Sequence, residues 1–466
     1  MANVLVKQDT MSAIADSIRE KKGSSGKMKP AAMPDAIRSI PSGGGGGSTE
    51  ADESLPVRFF DYDGTLLYSY SLTALQQMEG LPDWPSHDGL VCEGWNWSLE
   101  ELKTFNREVN VAALYITDDG ATRLYVHLDE DTLEPVVRFG QSQSAGVLLD
   151  WGDGSEPESV VSGGNMEVSF THRYAQPGDY VIRFIPGEYT EITFLGYYST
   201  GSGAFSGGKS TYQQNMKYFM AVRKIETGKQ IRRLDSYCFS CFGRLESISI
   251  SKTVQGVGNG IVAKCYSLLF LGIPKIGTAV SAYTCQECCS MRHVSVPNGV
   301  SAVYTYAFES CYSLQEIVIP DSVATIGSQA FRKCYSLTEI HIPAGVNKFE
   351  QYCLADNRIL EAVRIPESVT EIPDSFVSGC WTLAELVIPS AVKTISRYAF
   401  ENCSSMKRYY LMPETPPVLG AANAFNGIPD DCRIYVPKGC LEAYQTASYW
   451  SNYAGYMVEM EEGEVH

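Results

Sequence analysis

Long apolar runs, histidine and clustered basic charge are all scarce in this chain of 466 residues. No apolar run reaches the roughly 18 residues of a membrane span, so we expect no membrane insertion. The start, MANVLVKQDT, lacks a secretion-signal layout, so we expect synthesis in a cytoplasm and export, if any, by another route. Net charge is −17 and basic residues cluster only at Arg19–Lys22 and Arg232–Arg233, which excludes nucleic acid as a partner.

Catalytic constellations are also missing. The chain has only 6 histidines, none of them in an H-E-x-x-H motif, and it has no G-x-S-x-G motif. We therefore predict no enzymatic activity, no cofactor, and no catalytic or metal site. Three enzymatic alternatives stay open: a phosphatase or a glycan hydrolase within residues 57–140, and nucleotide binding at residues 203–210.

Two sequence motifs are the basis of the phosphatase and the nucleotide-binding alternatives. Asp61 and Asp63 lie in D-Y-D-G-T, which resembles the nucleophile loop of haloacid-dehalogenase-like phosphatases, but too little chain follows for their doubly wound domain. Residues 203–210, GAFSGGKS, fit the phosphate-loop pattern. A phosphate loop also needs a parallel sheet, and the repeats described next leave no room for one.

What the sequence does have is one apolar pattern repeated eight times with a period of 23 residues. The repeats are anchored at Phe242, Cys265, Cys288, Cys311, Cys334, Asn357, Cys380 and Cys403. Each anchor is followed by Leu or Met at +3 and by apolar residues at +6 and +8, so each repeat predicts one short strand with these two side chains inward. Units of this length must stack to bury a core, which predicts a solenoid.

The repeat lettering, as in CYSLQEIVIP, resembles the BspA-like leucine-rich repeat family of bacterial and phage surface proteins. The resemblance covers roughly residues 220–413. Residues 424–455 resemble the C-terminal cap of that family, in which an I-Y-V-P strand precedes a short helix and a Trp. The resemblance implies a capped solenoid that serves recognition.

Fourteen cysteines would ordinarily suggest disulfides or a metal site. Six of them are repeat anchors and three more, Cys238, Cys285 and Cys353, precede an anchor by three or four residues. A small buried side chain in a stacked ladder explains these nine. The Cys285, Cys288 and Cys289 group lacks a second ligand pair with zinc spacing, so we predict free thiols.

Residues 10–21 and 31–40 predict two short helices, which would need a partner or self-association to be stable. The stretch from Ser12 to Ile40 resembles the N-terminal segment of tail and baseplate-associated proteins of phages. The alternative is a helical hairpin with no partner. Residues 42–56 are rich in Gly and Ser and then acidic, which predicts a flexible linker.

Residues 57–140 predict a β-rich module that resembles a phage tail-protein module. Asp118-Asp119-Gly120 predicts a hairpin turn between two strands. Its tryptophans Trp84, Trp95 and Trp97 fill a small core or line a sugar-binding groove, and the first is favoured.

Residues 141–195 contain W-G-D-G-S followed by H-x-Y-x-x-P-G-x-Y, which resembles the PKD-type immunoglobulin-like sandwich. Asp150 and Asp153 lack calcium-loop spacing and are interpreted as turn residues. The resemblance implies a spacer without chemistry.

Candidate ligand contacts come from two sets of repeat positions. Outward strand positions at +5 and +7 supply Phe270, His293, His341, Arg364, Arg408 and Tyr410. Position +1 supplies Tyr266, Tyr312, Tyr335 and Trp381. Aromatic and Arg side chains are common binding anchors, although the +1 set could equally cover the turn after each anchor.

The predicted fold is mainly β and multidomain, with short N-terminal helices, a β-rich module, an Ig-like β-sandwich and a capped leucine-rich-repeat solenoid. The predicted segments are 1–41 (attachment), 42–56 (linker), 57–140 (module), 141–195 (sandwich), 196–413 (solenoid) and 414–466 (cap). The resemblances imply a bacteriophage tail fibre or tail-tip adhesin, located in the virion. Its partners would be other tail proteins and a host surface protein or glycan, and homo-oligomerisation would add avidity. The alternative is a bacterial cell-surface adhesin or antigen.

Overall fold

The computed structural model describes residues 56–105, 107–142, 146–159, 166–196 and 203–461. The chain divides into two compact units. The first unit contains the described residues up to Gly277 together with Tyr283–Asn298, and the second contains Thr278–Ala282 and the residues from Gly299 onward. The predicted attachment helices, and the predicted linker except for Pro56, lie outside the described residues. Both units are mainly β, which confirms the predicted fold class.

The first unit begins with a four-stranded sheet in the order β2-β1-β4-β3. Its strands are β1 (Val57–Phe60), β2 (Leu66–Tyr70), β3 (Leu90–Trp95) and β4 (Val109–Thr117). Two short helices, α1 (Leu72–Gln77) and α2 (Leu99–Lys103), lie between the strands. Helix α2 starts where the sequence supplies a capping box, since Ser98 Oγ accepts from the Glu101 amide while the Glu101 carboxylate accepts from the Ser98 amide.

A sandwich of two six-stranded sheets follows. One sheet contains β5 (Thr122–Leu128), β7 (Val147–Asp150), β8 (Glu158–Ser159), β10 (Gly178–Pro186), β13 (Val222–Glu226) and β15 (Ser247–Ser249). The other contains β6 (Val136–Gln141), β9 (Met166–Thr171), β11 (Ile192–Phe194), β12 (Phe205–Ser206), β14 (Ile231–Leu234) and β16 (Gly256–Val257). A short 3-10 helix, Glu130–Thr132, joins β5 to β6, and helix α3 (Tyr212–Phe219) joins β12 to β13. The Phe184 ring contacts Phe139 and Phe194 of the facing sheet at 5.3 and 5.1 Å between centroids, so aromatic rings fill the space between the sheets.

Two predicted boundaries are wrong. Strand β5 precedes the boundary at 140 and β6 runs across it, yet β5 pairs with β10 and β6 pairs with β9 and β11, so this boundary falls inside the sandwich. The boundary at 195 is also crossed, because β13 extends one sandwich sheet and β14 extends the other. Period-two alternation identifies a strand but carries no information about its partner.

The predicted hairpin at Asp118–Gly120 is a turn without a hairpin. Strand β4 belongs to the first sheet and β5 to the sandwich, so the chain changes sheets at this turn. The acidic residues are held by arginines: Arg123 contacts Asp118 at 3.1 Å and Arg183 contacts Asp119 at 2.7 Å.

Solenoid turns occur in both units. The first unit contains the parallel pair β17 (Phe270–Gly272) and β19 (His293–Ser295). Along one side of the second unit, the strands are β18 (Ala279–Val280), β20 (Ala302–Val303), β21 (Thr325–Ile326), β23 (Lys348–Phe349), β25 (Glu371–Ile372), β27 (Thr394–Ile395) and β29 (Val418–Leu419). The others are β22 (Glu339–Ile340), β24 (Ala362–Val363), β26 (Glu385–Ile388), β28 (Arg408–Leu411), β30 (Arg433–Val436) and β31 (Met457–Glu459).

Strand pairing explains the sequence period. Residues one period apart are direct partners in parallel pairs, as in Glu339 with Ala362 and Glu385 with Arg408. The predicted inward residues are buried, including Ile340 and Ile342 at +6 and +8, both 4 % exposed. Each turn therefore buries its apolar side chains against the next turn, which confirms the predicted solenoid.

The C-terminal end of the second unit closes the core. Helix α4 (Leu441–Thr446) and a 3-10 helix (Trp450–Tyr456) follow β30. Trp450 is fully buried and its Nε1 donates to the Pro417 carbonyl at 2.7 Å, while Tyr444 donates to the Pro413 carbonyl at 2.6 Å. Two aromatic side chains thus satisfy carbonyls at the end of the solenoid while covering its apolar core.

Candidate recognition surface

The repeat anchors hold the turns together through side-chain donors. Cys265, Cys288, Cys334, Cys380 and Cys403 each donate Sγ–H to a carbonyl 26 residues earlier, at 3.1 to 3.4 Å. Burial raises the pKa of Cys265, Cys334, Cys380 and Cys403, to about 12 for Cys403, so these four thiols remain protonated donors. All fourteen cysteines are free. They serve the scaffold that positions the surface.

Asn357 performs the anchor role in the one repeat that lacks Cys or Phe at that position. Its Nδ2 donates to the Phe331 carbonyl at 3.0 Å and to the Leu354 carbonyl at 2.8 Å, and its Oδ1 accepts from the Cys334 amide at 2.8 Å. The carbonyl of Phe331 lies 26 residues before Asn357, the same spacing as for the cysteines. A buried amide therefore replaces a buried thiol without leaving a polar group unpaired.

In the second unit, outward side chains form a face that we call the strand face. It consists of Glu339, His341, Arg364, Glu385 and Arg408, all of which are exposed. Arg408 Nε donates to Glu385 Oε2 at 2.9 Å across neighbouring turns. Ion pairs as exposed as this one contribute at most about 1 kcal/mol to the free energy of unfolding. Stability of the fold therefore does little to explain why charged residues occupy this face.

Beside the strand face lies a stack of four side chains at position +1, which we call the aromatic ladder. The Tyr312 and Tyr335 rings stack at 4.9 Å and 5°. The Arg358 guanidinium lies 4.6 Å from the Tyr335 centroid and 4.6 Å from that of Trp381. These separations match the roughly 4.8 Å between neighbouring strands, so identical positions on successive turns stack directly.

The ladder contains one residue that the sequence prediction missed. Arg358 follows the anchor Asn357 and therefore occupies +1, but only aromatic residues were selected there. The period alone could have identified it. The ladder ends at Trp381, which is 47 % exposed.

Four predicted contact residues are covered. Phe270 and Tyr266 are each 1 % exposed and Tyr410 is 6 % exposed, its ring stacked on Tyr435 at 4.9 Å. His293 is half-buried, with its ring stacked on Phe60 at 5.0 Å. These side chains are therefore removed from the candidate surface, whereas His341, Arg364, Arg408 and Trp381 remain on it.

The first sheet of the chain explains why Phe270 and His293 are covered. Phe270 packs with Phe60, Ala112 and Leu114 in one buried cluster. Nearby, Asn96 Nδ2 donates to Ser295 Oγ at 2.8 Å, and Asn96 Oδ1 accepts from the Ala112 amide at 2.8 Å. In the first unit, therefore, residues 57–117 occupy the outward face of the strands. The alternation of apolar and polar residues predicted that this face is exposed to solvent. Such a pattern cannot show that a segment 150 or more residues away in the sequence packs against it.

The motifs considered for catalysis have structural partners instead. Asp61 accepts from His87 Nε2 at 2.8 Å, and burial raises the pKa of Asp61 although His87 opposes the rise. In residues 203–210, the amides of Gly207 and Lys209 both donate to Asn215 Oδ1 at 3.0 Å, so these two amides already have a partner within the protein. The strand in this segment, β12, pairs antiparallel with β6.

The remaining aromatic and acidic candidates also lie in structural positions. Trp95 and Trp97 are buried, and Trp84 is exposed beside Trp95. Burial alone would raise the pKa of Asp153, but hydrogen bonds from Ser155 and His172 outweigh it and lower the pKa to about 2. Asp150 accepts from the Gly152 amide at 2.9 Å, as expected of a turn residue. Across the described ranges, no group of three His, Cys, Asp or Glu side chains could hold a metal ion, and no helix is long and apolar enough to cross a membrane.

Comparison with known proteins identifies the repeat type. Residues 205–288 and 278–407 match the BspA type leucine rich repeat region. No curated protein matches the chain. The repeat region is therefore of the BspA leucine-rich repeat type.

Several solved structures are similar to parts of the chain. A leucine rich repeat protein of T. pallidum is 28% identical, over 35% of this chain and 78% of its own, with a TM-score of 0.32. A leucine rich cell surface protein of Faecalibacterium prausnitzii is 16% identical, over 60% and 96%, with a TM-score of 0.27. The pneumococcal vaccine antigen PcpA is 14% identical, over 50% and 66%, with a TM-score of 0.32.

Proposed function

We propose that this chain is an adhesion protein whose leucine-rich repeats bind a protein or glycan on the surface of a host cell. The observation that carries the proposal is a difference between turns. Phe270 and His293 are covered by the chain's own first sheet, whereas Arg364, Arg408 and Trp381 are exposed. The second unit thus presents side chains that remain exposed to solvent after folding.

The chemistry of these side chains supports recognition. Arg and Trp are enriched among residues that dominate binding energy, especially where the scaffold fixes them before binding. Arg358 lies between two rings and Arg408 pairs with Glu385, so both are held in place. Arg364 has no hydrogen bond or ion pair within the described part of the chain and is free to contact a ligand.

We further propose that the protein belongs to a bacteriophage tail, as a tail fibre or tail-tip adhesin. Residues 1–41 would bind other tail proteins, after synthesis in the host cytoplasm. This part rests on the resemblance of residues 12–40 to tail-protein segments. Homo-oligomerisation would multiply weak contacts, because linked sites bind with greater avidity.

A bacterial cell-surface adhesin or antigen is the second candidate. The match of residues 205–407 to BspA-type repeats supports it as much as it supports a phage protein, because the sequence resemblance places this repeat type in both bacterial and phage surface proteins. The two candidates differ in what residues 1–41 bind.

The test compares the full chain with a chain that lacks residues 1–41, on purified tail particles and on intact candidate host cells. We expect the full chain to bind both and the shortened chain to bind cells alone, with unchanged affinity. Binding of the shortened chain to tail particles would contradict the proposal that residues 1–41 attach the protein to the tail. Binding to cells by both chains and to particles by neither would favour the bacterial adhesin, and absence of cell binding by both would contradict adhesion.

A further inference from the structure

A break in the backbone hydrogen bonding opens a groove on the side of the second unit that carries β21, β23, β25 and β27. In most turns there, the amide at position −7 donates to a carbonyl of the preceding turn, as Glu350 does to Ile326 and Ser396 does to Ile372, both at 2.9 Å. The intervening turn has Pro373 at this position, and proline has no amide hydrogen. The Phe349 carbonyl therefore lacks this bond, and no pairing joins β23 to β25 among the described strands.

The groove at this break has a volume of about 720 Å³. Its polar lining includes Asn347, Gln351, Thr370 and Glu371, and its apolar lining includes Phe349 and Pro373. The four polar residues are exposed, and their side chains have no hydrogen bond within the described part of the chain. Amide, hydroxyl and carboxylate groups are thus free at a gap that also leaves backbone groups unpaired.

We propose that this groove binds a neutral, extended glycan; the inference rests on the proposed adhesion function and adds a second binding site to that of the strand face. Sugar hydroxyls both donate and accept, which matches a lining that mixes carboxamide, hydroxyl, carboxylate and backbone groups. Four consecutive turns contribute to the lining, so the groove follows the solenoid axis and suits a linear chain.

Charge excludes the main competing ligands. Glu350 is paired with Lys348 at 3.0 Å and Asp374 with Arg397 at 2.8 Å, whereas Glu371 has no cationic partner in the described residues. The free carboxylate repels anionic polymers. A metal ion is disfavoured because the two paired carboxylates are already neutralised by Lys348 and Arg397.

The experiment titrates the full chain with chitohexaose and cellohexaose as neutral probes and with heparin as an anionic probe. We expect at least one neutral hexasaccharide to bind, and Asn347→Ala with Glu371→Ala to weaken that binding at least tenfold. The control, Glu156→Ala with Arg173→Ala, removes two exposed side chains from the sandwich, outside the groove and the strand face, and should leave hexasaccharide binding unchanged.

A second variant separates binding from folding. Pro373→Ala restores an amide that can donate to the Phe349 carbonyl, so we expect the gap to close, glycan binding to fall and the denaturation midpoint to stay constant or rise. Equal hexasaccharide affinity in all variants, tighter binding of heparin, or no hexasaccharide binding would overturn the glycan assignment. If hexasaccharides fail while cells are still bound, and Arg364→Glu with Trp381→Ala loses that cell binding, the adhesion proposal stands and the groove assignment fails.

Discussion

Asn357→Ala is expected to lower the free energy of unfolding by about 3 kcal/mol, because two buried backbone groups lose their partner at about 1–3 kcal/mol each. These groups are the carbonyl of Phe331 and the amide of Cys334, whereas the Leu354 carbonyl keeps the hydrogen bond from the Cys380 thiol. Asn357 itself is 0% exposed, so water cannot replace the lost bonds without opening the turn.

The control for this variant comes from the other turns. Asn357→Cys should cost about 1 kcal/mol or less, because a thiol at this position can donate to the Phe331 carbonyl as the other anchor cysteines do. In those turns the anchor amide donates to the carbonyl three residues earlier, as Cys380 does to Val377, and the Cys334 amide could do the same. Denaturant unfolding of the full chain measures both variants. Equal losses for Ala and Cys would contradict the anchor role.

Phe270→Ala is expected to lower the free energy of unfolding by about 3–4 kcal/mol, the usual cost of removing a buried aromatic ring. The Phe270 ring stacks on Phe60 at 5.2 Å and packs against Ala112 and Leu114. The substitution would leave a cavity between β17 and the first sheet, and the rigid β4 could fill it only in part.

The matched control is Arg364→Ala, at the outward +7 position of a later turn. Arg364 is exposed, so its removal should change stability by less than about 0.5 kcal/mol. Denaturation midpoints compared with the original chain measure the difference. If Phe270→Ala were as mild as Arg364→Ala, the outward face of β17 would be open to solvent, as the sequence alone suggested.

Features that depend on the repeat could be predicted from the sequence, since each residue has the same neighbours one period away. The repeat register predicts the inward strand positions and the buried cysteines. It also predicts that Asn357 occupies an anchor position. Arg358 follows from it too, because it shares its position with Tyr335 and Trp381. Its omission came from selecting residues by aromatic character instead of by position.

Contacts between distant segments could not be predicted in the same way. Phe270 occupies an outward position in its repeat, and only the structure shows Phe60 covering it. The same limit explains the boundary at 140, since β5 alternates as any half-buried strand does and its partner β10 lies some 50 residues later. The gap beside Pro373 could be predicted only in part. The sequence shows that Pro373 has no amide hydrogen to donate, but the groove also depends on the neighbouring turns, which only the structure shows.

We propose that the strand face and the aromatic ladder of the second unit bind the target surface. The most direct test is binding of the full chain to intact target cells after Arg364→Glu with Trp381→Ala, compared with Arg173→Glu, a substitution at an exposed arginine of the sandwich. We expect at least a tenfold loss of affinity for the first variant and no change for the second, with both chains folded. Undiminished binding by the first variant would contradict the assignment of this surface.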